Sequence, residues 1–453
     1  MLPLPLFRLL AITALGFALT LTTNTLEPAV LSHKVLELAP NLPNTALGLT
    51  TFAGLLIASL AQPLVGVLSD RTRSRWGQRL PFIVIGALLA APCLYLIALA
   101  PAFSVVVVGV LALQLAASTI MGPWQALIPD LVPASQRGRA AGLKALFDIV
   151  ALVIGRQVAG YLVSRAPEWG EAALVAAVSV PVVVYALALL LTVLGLRRNT
   201  TTDARPQTTA TAVSEKTPVV SRPSRAAVVS NYPEPLPEAS LRRALAGTFV
   251  VDFRAHPAFL WWLINRLLFW TGFIALTTFL VFFVIDVGGL TAAAAQRYVG
   301  TLSVVLGVAV VAVTLPSGWL ADRLGRQPIV AASGLIAAFG TGLVVISHDL
   351  RVVTAAGVIV GLGVGLFLSA NWALVTDIVP RDEAARYLGL ANIATAGGSA
   401  LARLLGAALI DPVNQALGSS TAGYYLLYGL AGVLFALSAL AMVPLKAVFA
   451  TRD

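Results

Sequence analysis

Long apolar stretches without charge recur along the whole chain, and they constrain its fold more than any other feature. A helix needs about 20 apolar residues to cross the core of a bilayer, and a water-soluble domain does not contain many runs of this length. Twelve such stretches lie near residues 7–31, 46–68, 81–100, 103–128, 142–163, 172–196, 264–288, 296–318, 328–346, 352–375, 387–410 and 422–446. The sequence therefore predicts an all-α integral membrane protein with twelve transmembrane helices.

The charged residues are placed as a membrane topology requires. Apolar residues make up 58% of the chain and charged residues 11%, and most of the 30 Lys and Arg residues fall in breaks on one side of the membrane. The positive-inside rule then predicts cytoplasmic N- and C-termini. The alanine- and glycine-rich helices favour a multi-pass protein of the cell (inner) membrane. The net charge of +10 indicates contact with membrane lipid headgroups, and we expect no nucleic-acid partner.

Residues that redox, metal or enzymatic chemistry requires are sparse. Cys93 is the only cysteine, so the chain cannot form an internal disulfide, and the three histidines lie near predicted helix ends. The polar breaks contain no nucleophile with a neighbouring base and no Gly-rich phosphate loop. We therefore expect no enzyme, no cofactor and no metal site, and any proton coupling has to use carboxylates.

Two pairs of segments indicate an internal duplication. Gly66–Arg71, with the sequence Gly-Val-Leu-Ser-Asp-Arg, corresponds to Gly318–Arg323, with the sequence Gly-Trp-Leu-Ala-Asp-Arg. Asp130–Pro133 corresponds in the same way to Asp377–Pro380. Two halves built from one template, each crossing the membrane several times, are typical of a transporter.

The composition divides the chain into three parts. We expect an N-terminal six-helix bundle at 1–196, a cytoplasmic linker at 197–257 and a C-terminal six-helix bundle at 258–453. The linker is rich in Thr, Pro, Ser and charge, which predicts that it is largely disordered. Its last part, 241–254, alternates basic and apolar residues, so it forms either a helix along the membrane surface or a plain loop.

The six-plus-six arrangement, with a long central loop and a charged turn after spans 2 and 8, resembles the major facilitator superfamily. The turn Gly318–Gln327 follows the signature spacing of that superfamily. The first-half turn, Ser69–Phe82, is longer and resembles the sucrose and glycoside cation symporter branch. The resemblance implies two pseudo-symmetric bundles that act as a monomer. It also implies alternating access for a small solute, with a proton or cation as co-substrate.

The charged turns have two interpretations. By resemblance, they form a latch that holds the cytoplasmic ends of the two halves together, made by Asp70, Arg71 and Arg79, with a mirrored copy in Asp322, Arg323 and Arg326. Related partners at the ends of spans 4 and 10 are Asp130, Arg139, Asp377 and Arg386. Alternatively, these residues are solvated charges that set the topology, and the second group simply terminates helices.

Arg156 and Arg403 are charges embedded in predicted spans 5 and 11, at equivalent positions of the repeat. Each lies about 22 Å from the cytoplasmic start of its helix, where an unpaired charge is costly. We expect both to face the space between the halves. The alternative is that they belong to a structural ion pair that links the two halves. Asp148, about two turns from Arg156 on a similar face, is the expected carboxylate of this group. Arg266, at the inner end of span 7, is interpreted as a snorkelling anchor.

Polar and aromatic residues within the spans are candidates for solute binding. Glu27 follows a run of Thr and Asn residues in span 1, which predicts that this part of the span lines a cavity. Three roles are open to Glu27: it binds a sugar hydroxyl, carries a coupling proton or meets interfacial water. The other candidates are Gln114, Ser118, Gln125, Trp270, Asn371, Trp372 and Asn392. Amides and hydroxyls beside indole rings suit a sugar, and the alternative for each Trp is a membrane-interface position. Gln125 stands where the sucrose branch carries an arginine.

The predicted function is secondary active transport of a small polar solute, with a sugar or glycoside as the leading substrate class. One alternative is an anion or drug transporter that uses Arg156 and Arg403. Another is a membrane assembly factor of the same fold that transports nothing.

Overall fold

The computed structural model describes residues 4–72, 74, 76–133, 136–197, 256–379 and 384–445. These residues include twelve helices that are long and apolar enough to cross a membrane, called here spans 1 to 12. In the first half the spans are Leu6–Leu38, Pro43–Arg71, Leu80–Ala98, Phe103–Leu131, Arg137–Val163 and Glu171–Arg197. In the second half they are Pro257–Thr278, Ala292–Leu324, Arg326–Ile346, Leu350–Ile378, Ala384–Leu417 and Ala422–Leu440. The predicted all-α fold with twelve transmembrane helices is confirmed.

Several spans extend beyond their predicted bounds, and spans 1 and 7 show why. Span 1 continues to Leu38 through the π-helical turn Leu26–Leu31, because its polar end is accommodated inside the protein. There Lys34, which is 1% exposed, donates to Glu37 and to the backbone oxygen of Ala100. Span 7 begins earlier than predicted, at Pro257, and after a break at Phe279 it continues as the short helix Leu280–Asp286. The predicted linker falls almost wholly outside the described residues.

Glycines allow helices within each half to approach closely. A Cβ on Gly86 of span 3 would lie 2.7 Å from the backbone oxygen of Ala116 in span 4. A Cβ on Gly363 of span 10 would lie 2.9 Å from the backbone oxygen of Ser333 in span 9. Small residues are what membrane helices use to reach such distances, since lipid provides no hydrophobic drive for their association.

The two halves meet along two seams, which pair span 2 with span 11 and span 5 with span 8. A Cβ on Gly48 would lie 2.6 Å from the backbone oxygen of Arg403, and one on Gly160 would lie 2.6 Å from that of Gln296. We call the end of the bundle where span 1 begins the terminal face and the opposite end the distal face. Both glycines lie toward the distal face, so the halves are in close contact there.

Candidate functional site

A salt bridge joins the two halves on the distal side of the bundle. Nη2 of Arg403 in span 11 lies 2.6 Å from Oε1 of Glu27 in span 1. The two side chains are 9% and 19% exposed, so both charges are largely removed from water. Nη1 of Arg403 also donates to the backbone oxygen of Ser399 at 3.0 Å. Removing either partner would leave a poorly solvated charge, so the pair holds the halves together.

Glu27 owes its position to the π-helical turn in span 1. Pro28 lacks an N–H and its ring crowds the preceding turn, which favours the wider winding seen at Leu26–Leu31. The Glu27 side chain thereby points between two small cavities. One is lined by residues that include Thr22, Thr51 and Gln114, the other by Asn24, Arg156 and Thr277, and Glu27 and Arg403 line both. The cavities therefore surround an ion pair with hydroxyl and amide groups.

Arg156 reaches the second of these cavities without a carboxylate of its own. Its Nε donates to Oδ1 of Asn24 at 3.1 Å, a contact within the first half. Among the described residues, no carboxylate oxygen lies within 4.0 Å of it. Arg156 and Arg403 thus lie near one another, as their repeat positions suggest, but only Arg403 is paired with an acid.

Asp148 does not pair with Arg156, which corrects the expectation from their spacing. Its Oδ2 lies 2.7 Å from Nζ of Lys144, one turn earlier in span 5, and its Oδ1 accepts from Thr20 at 2.9 Å. A partner four residues away on the same helix face is nearer than one eight residues away, and this decides the pairing. Lys144, which also lies 5.7 Å from the ring centroid of Trp124, is a charge that sequence reasoning missed.

Arg266 is buried, so its interpretation as a snorkelling anchor is wrong. Its side chain is 4% exposed, and Nη1 donates to Oδ1 of Asn371 at 2.8 Å. Its Nε donates to Oγ1 of Thr395 at 2.9 Å. The guanidinium carbon lies 4.9 Å from the ring centroid of Trp372 and 5.5 Å from that of Trp262. Asn371 is fully buried and organises this group from span 10, while Trp372 is 39% exposed.

The remaining polar candidates are spread over spans 4, 7 and 11. Gln114 is half-buried beside Gly54, and Ser118 is 4% exposed. Gln125 and Asn392 are exposed. Trp270 packs edge-on against Phe273, and its enclosed Nε1 has no acceptor among the described residues. An enclosed donor without a partner is uncommon and marks a place where a ligand can supply the acceptor.

The charged turns at the terminal face form ion pairs within each half. Arg79 pairs with Asp70 in the first half. In the second half Nη1 of Arg326 lies 2.6 Å from Oδ1 of Asp377 and the same distance from the backbone oxygen of Ala373. The expected pairing of Arg326 with Asp322 is therefore wrong, because the end of span 10 lies closer to the start of span 9. Neither ion pair connects the two halves.

The other predicted latch residues make fewer contacts. The guanidinium of Arg323 lies 3.9 Å from the ring centroid of Trp319 on its own helix. Asp322, Arg71 and Arg139 are exposed. The side chains of Asp130 and Arg386 fall outside the part of the chain that the structure describes, so their predicted roles stay predictions.

A second polar contact between the halves lies at the distal face, and sequence reasoning missed it. Asp411 in span 11 accepts from Nδ2 of Asn44 at 2.8 Å and from the backbone N of Thr45 at 2.7 Å. Nδ2 of Asn44 also donates to the hydroxyl of Tyr424, which in turn donates to Oδ2 of Asp286 at 2.6 Å. The only sequence signal for this contact was an acid, Asp411, at the outer end of a span. Its partners lie in the other half, so the sequence around Asp411 does not indicate them.

A large apolar groove is remote from these polar groups. It has a volume of about 940 Å³, lies between spans 3 and 6, and is lined by apolar side chains such as Leu88 and Leu190, with Trp76 at one end. Leu88 and Leu190 are 65% and 53% exposed. A groove of this kind suits lipid chains rather than a polar solute.

Comparisons with known proteins point to transporters. The chain is 33% identical over 91 residues to the minor myo-inositol transporter IolF of Bacillus subtilis, which covers 20% of this chain and 21% of that protein. It is 27% identical over 124 residues to the sucrose transport protein SUC3 of Arabidopsis thaliana, covering 22% and 21%. The matches thus span about a fifth of these relatives.

Likeness of fold extends over the whole chain. The crystal structure of the nucleoside transporter NupG superposes with a TM-score of 0.67 at 14% identity, covering 96% of this chain and all of that one. The family described as the Major Facilitator Superfamily matches residues 6–402 and 293–451. The chain therefore belongs to the major facilitator superfamily, and it is a multi-pass membrane transporter rather than an enzyme.

Proposed function

We propose that the protein is a secondary active carrier that moves a small polyhydroxylated solute, of the sugar, glycoside or polyol class, by alternating access. The observation that carries this proposal is the Glu27–Arg403 salt bridge, because it joins the halves where their separation would open the distal face. A contact in this position has to break and form again in every cycle. It gives the carrier a charged switch in the wall of the solute path.

Proton coupling follows from the chemistry of that pair. When Arg403 withdraws, Glu27 is left with a negative charge at the edge of a low-dielectric region, and uptake of a proton removes that cost. The return of Arg403 then favours release of the proton. We therefore assign Glu27 as the coupling carboxylate and Arg403 as its partner, with another cation as the alternative co-substrate.

The groups around Glu27 support a solute rich in hydroxyls. Thr22, Thr51, Gln114 and Thr277 line the two cavities, and each can exchange hydrogen bonds with a hydroxyl group. Two relatives are named for myo-inositol and for sucrose, which belong to the same chemical class. We further assign the terminal face to the cytoplasmic side of the cell membrane, from the distribution of Lys and Arg.

Uptake into proteoliposomes tests this function. Radiolabelled myo-inositol, sucrose and galacturonate would be offered to the purified protein with and without an inside-alkaline pH gradient. We expect at least one of them to accumulate above equilibrium only when the gradient is present. Uptake no faster than in protein-free liposomes for all three, and for a wider set of sugars, would contradict the proposal and favour a drug carrier or a non-transporting assembly role.

A further inference from the structure

The Arg266 cluster, defined as Arg266, Asn371, Thr395, Trp262 and Trp372, is a built polar site in the wall of the second half. All of its hydrogen-bond acceptors are neutral: Oδ1 of Asn371, Oγ1 of Thr395 and, at 3.3 Å, the backbone oxygen of Ala391. Among the described residues, no carboxylate oxygen lies within salt-bridge distance of Arg266. The cluster orients the guanidinium but does not neutralise it.

Among the described residues, two embedded arginines near the solute path have no ion-pair partner of their own. Within the described spans, Glu27 and Asp148 are already paired with Arg403 and Lys144. Arg156 and Arg266 then have only neutral hydrogen-bond partners, although Glu27 lines the same cavity as Arg156. An arginine without an ion-pair partner inside a membrane protein needs water or an anion to compensate its positive charge. An acidic solute is such an anion.

Arg266 shares a face of span 7 with residues that line the cavity between the halves. Arg266, Trp270, Ile274 and Thr277 follow one another at spacings of four, four and three residues, so they share one helix face. Ile274 and Thr277 line the cavity that Arg156 also lines. The Arg266 cluster therefore lies below that cavity along the same helix face, about 16 Å closer to the terminal face.

The guanidinium has unused donors on one edge. Its Nε and one N–H of Nη1 are used inside the cluster, whereas Nη2 finds no acceptor among the described residues. The rings of Trp262 and Trp372 pack near the guanidinium, which leaves its planar edge as the donor surface. A carboxylate binds such an edge through two parallel hydrogen bonds.

We propose that Arg266 binds the carboxylate of the solute, so that the carrier takes a polyhydroxylated acid such as a sugar acid rather than a neutral sugar. The inference rests on the proposed transport function and narrows its substrate class. The enclosed Nε1 of Trp270, one turn further along span 7, is a second donor for such a ligand. Asn371 and Thr395 act through Arg266 and are positioning residues.

Ligand binding to the purified protein tests the inference directly. The probes are galacturonate and its neutral counterpart galactose, and the readout is the ligand-induced rise in thermal unfolding midpoint, from which the dissociation constants follow. In the wild type we expect galacturonate to bind at least ten-fold more tightly than galactose. Arg266→Gln should remove this preference, and Arg266→Lys should keep part of it, since Lys retains the charge but not the fork.

The matched control is Arg297→Gln, which removes the same charge from an exposed position of span 8 and should leave the preference intact. Should Arg266→Gln not fold, the ratio of the two affinities in Arg266→Lys decides the matter. An unchanged preference for the acid in the Arg266 variants, or no binding of galacturonate by the wild type, would overturn the inference. Gradient-driven uptake of a neutral sugar that survives Arg266→Gln would overturn it while leaving the proposed function standing.

Discussion

At the scale of single residues, the buried arginines of the second half are compensated in two different ways. Arg403 and Arg266 are both buried arginines of the second half, yet one has an acid from the other half and the other has only neutral partners. In the proposed mechanism, the first arrangement couples the position of the halves to the charge on Glu27, and the second leaves a cation available to a ligand. The same residue type is thus proposed to serve coupling in one place and recognition in the other.

Replacing Glu27 by Gln should uncouple transport from the proton gradient. The amide keeps the size of the side chain but carries no proton, so gradient-driven accumulation should fall at least ten-fold, which is about 1.4 kcal/mol of lost coupling. Exchange of labelled for unlabelled solute across the membrane requires no net proton movement and should persist. The measurement compares both assays in proteoliposomes, and accumulation at the wild-type level in Glu27→Gln would remove this residue from the coupling mechanism.

At the scale of elements, the start of span 2 is capped from the other half. The residue before span 2, Leu42, offers no side-chain cap, and the carboxylate of Asp411 in span 11 accepts from the backbone N of Thr45 instead. A carboxylate at a helix N-terminus is stabilised by the helix dipole and by hydrogen bonds from free N–H groups. Because the cap comes from the opposite half, its energy depends on closure of the distal face.

Asp411→Asn should therefore weaken the closed distal face. Loss of the charge from a helix N-terminus is worth about 1 kcal/mol, which would change the ratio of closed to open molecules about five-fold. Spin labels on cysteines at positions 41 and 415, introduced together with Cys93→Ser, would report the distance across this face. Asp349→Asn is the matched control, since Asp349 caps span 10 within its own half through the backbone N of Arg351. Equal distance distributions in Asp411→Asn and the control would contradict the role of this cap.

Sequence patterns predicted the elements better than their partners. The repeated charged turns were expected to form a latch between the halves, and the ion pairs seen lie within each half. The choice of Asp377 over Asp322 for Arg326 depends on which helix end lies closest in space. Arg8 and Arg266 each begin an Arg-Leu-Leu triplet near the predicted starts of spans 1 and 7. Burial against Asn371 nevertheless sets Arg266 apart, and periodicity does not contain that information. Asp411 was missed because its partners come from the other half of the chain.

At the scale of the whole molecule, transport requires that the two seams open and close. Spans 5 and 8 approach so closely at Gly160 that a single added carbon would lie 2.6 Å from the backbone oxygen of Gln296. Backbone atoms cannot move aside as a flexible side chain can. The glycine thus allows the closed distal face, and the open arrangement should not require it.

Gly160→Ala should favour separation of the halves at the distal face and lower the rate of solute exchange several-fold. Gly142→Ala, in the same span, is the matched control, because a Cβ there meets nothing within 4 Å. Alanine in an exposed helix position is more favourable than glycine by about 1 kcal/mol, so the control should be neutral or slightly more stable. Exchange rates and thermal unfolding of both variants test this, and identical behaviour would mean that the seam is looser than the structure indicates.

If transport proceeds by alternating opening of the two faces, a cross-link that locks the distal face should stop it. The side chain of Gln415 donates to the backbone oxygen of Asn41 across that face, and both residues are exposed. With Cys93→Ser, cysteines at these two positions would be joined by a short bifunctional thiol reagent that a reductant cleaves. We predict that cross-linking stops gradient-driven uptake, that reduction restores it, and that either cysteine alone has no such effect. Uptake that continues at its full rate in fully cross-linked protein would contradict the account.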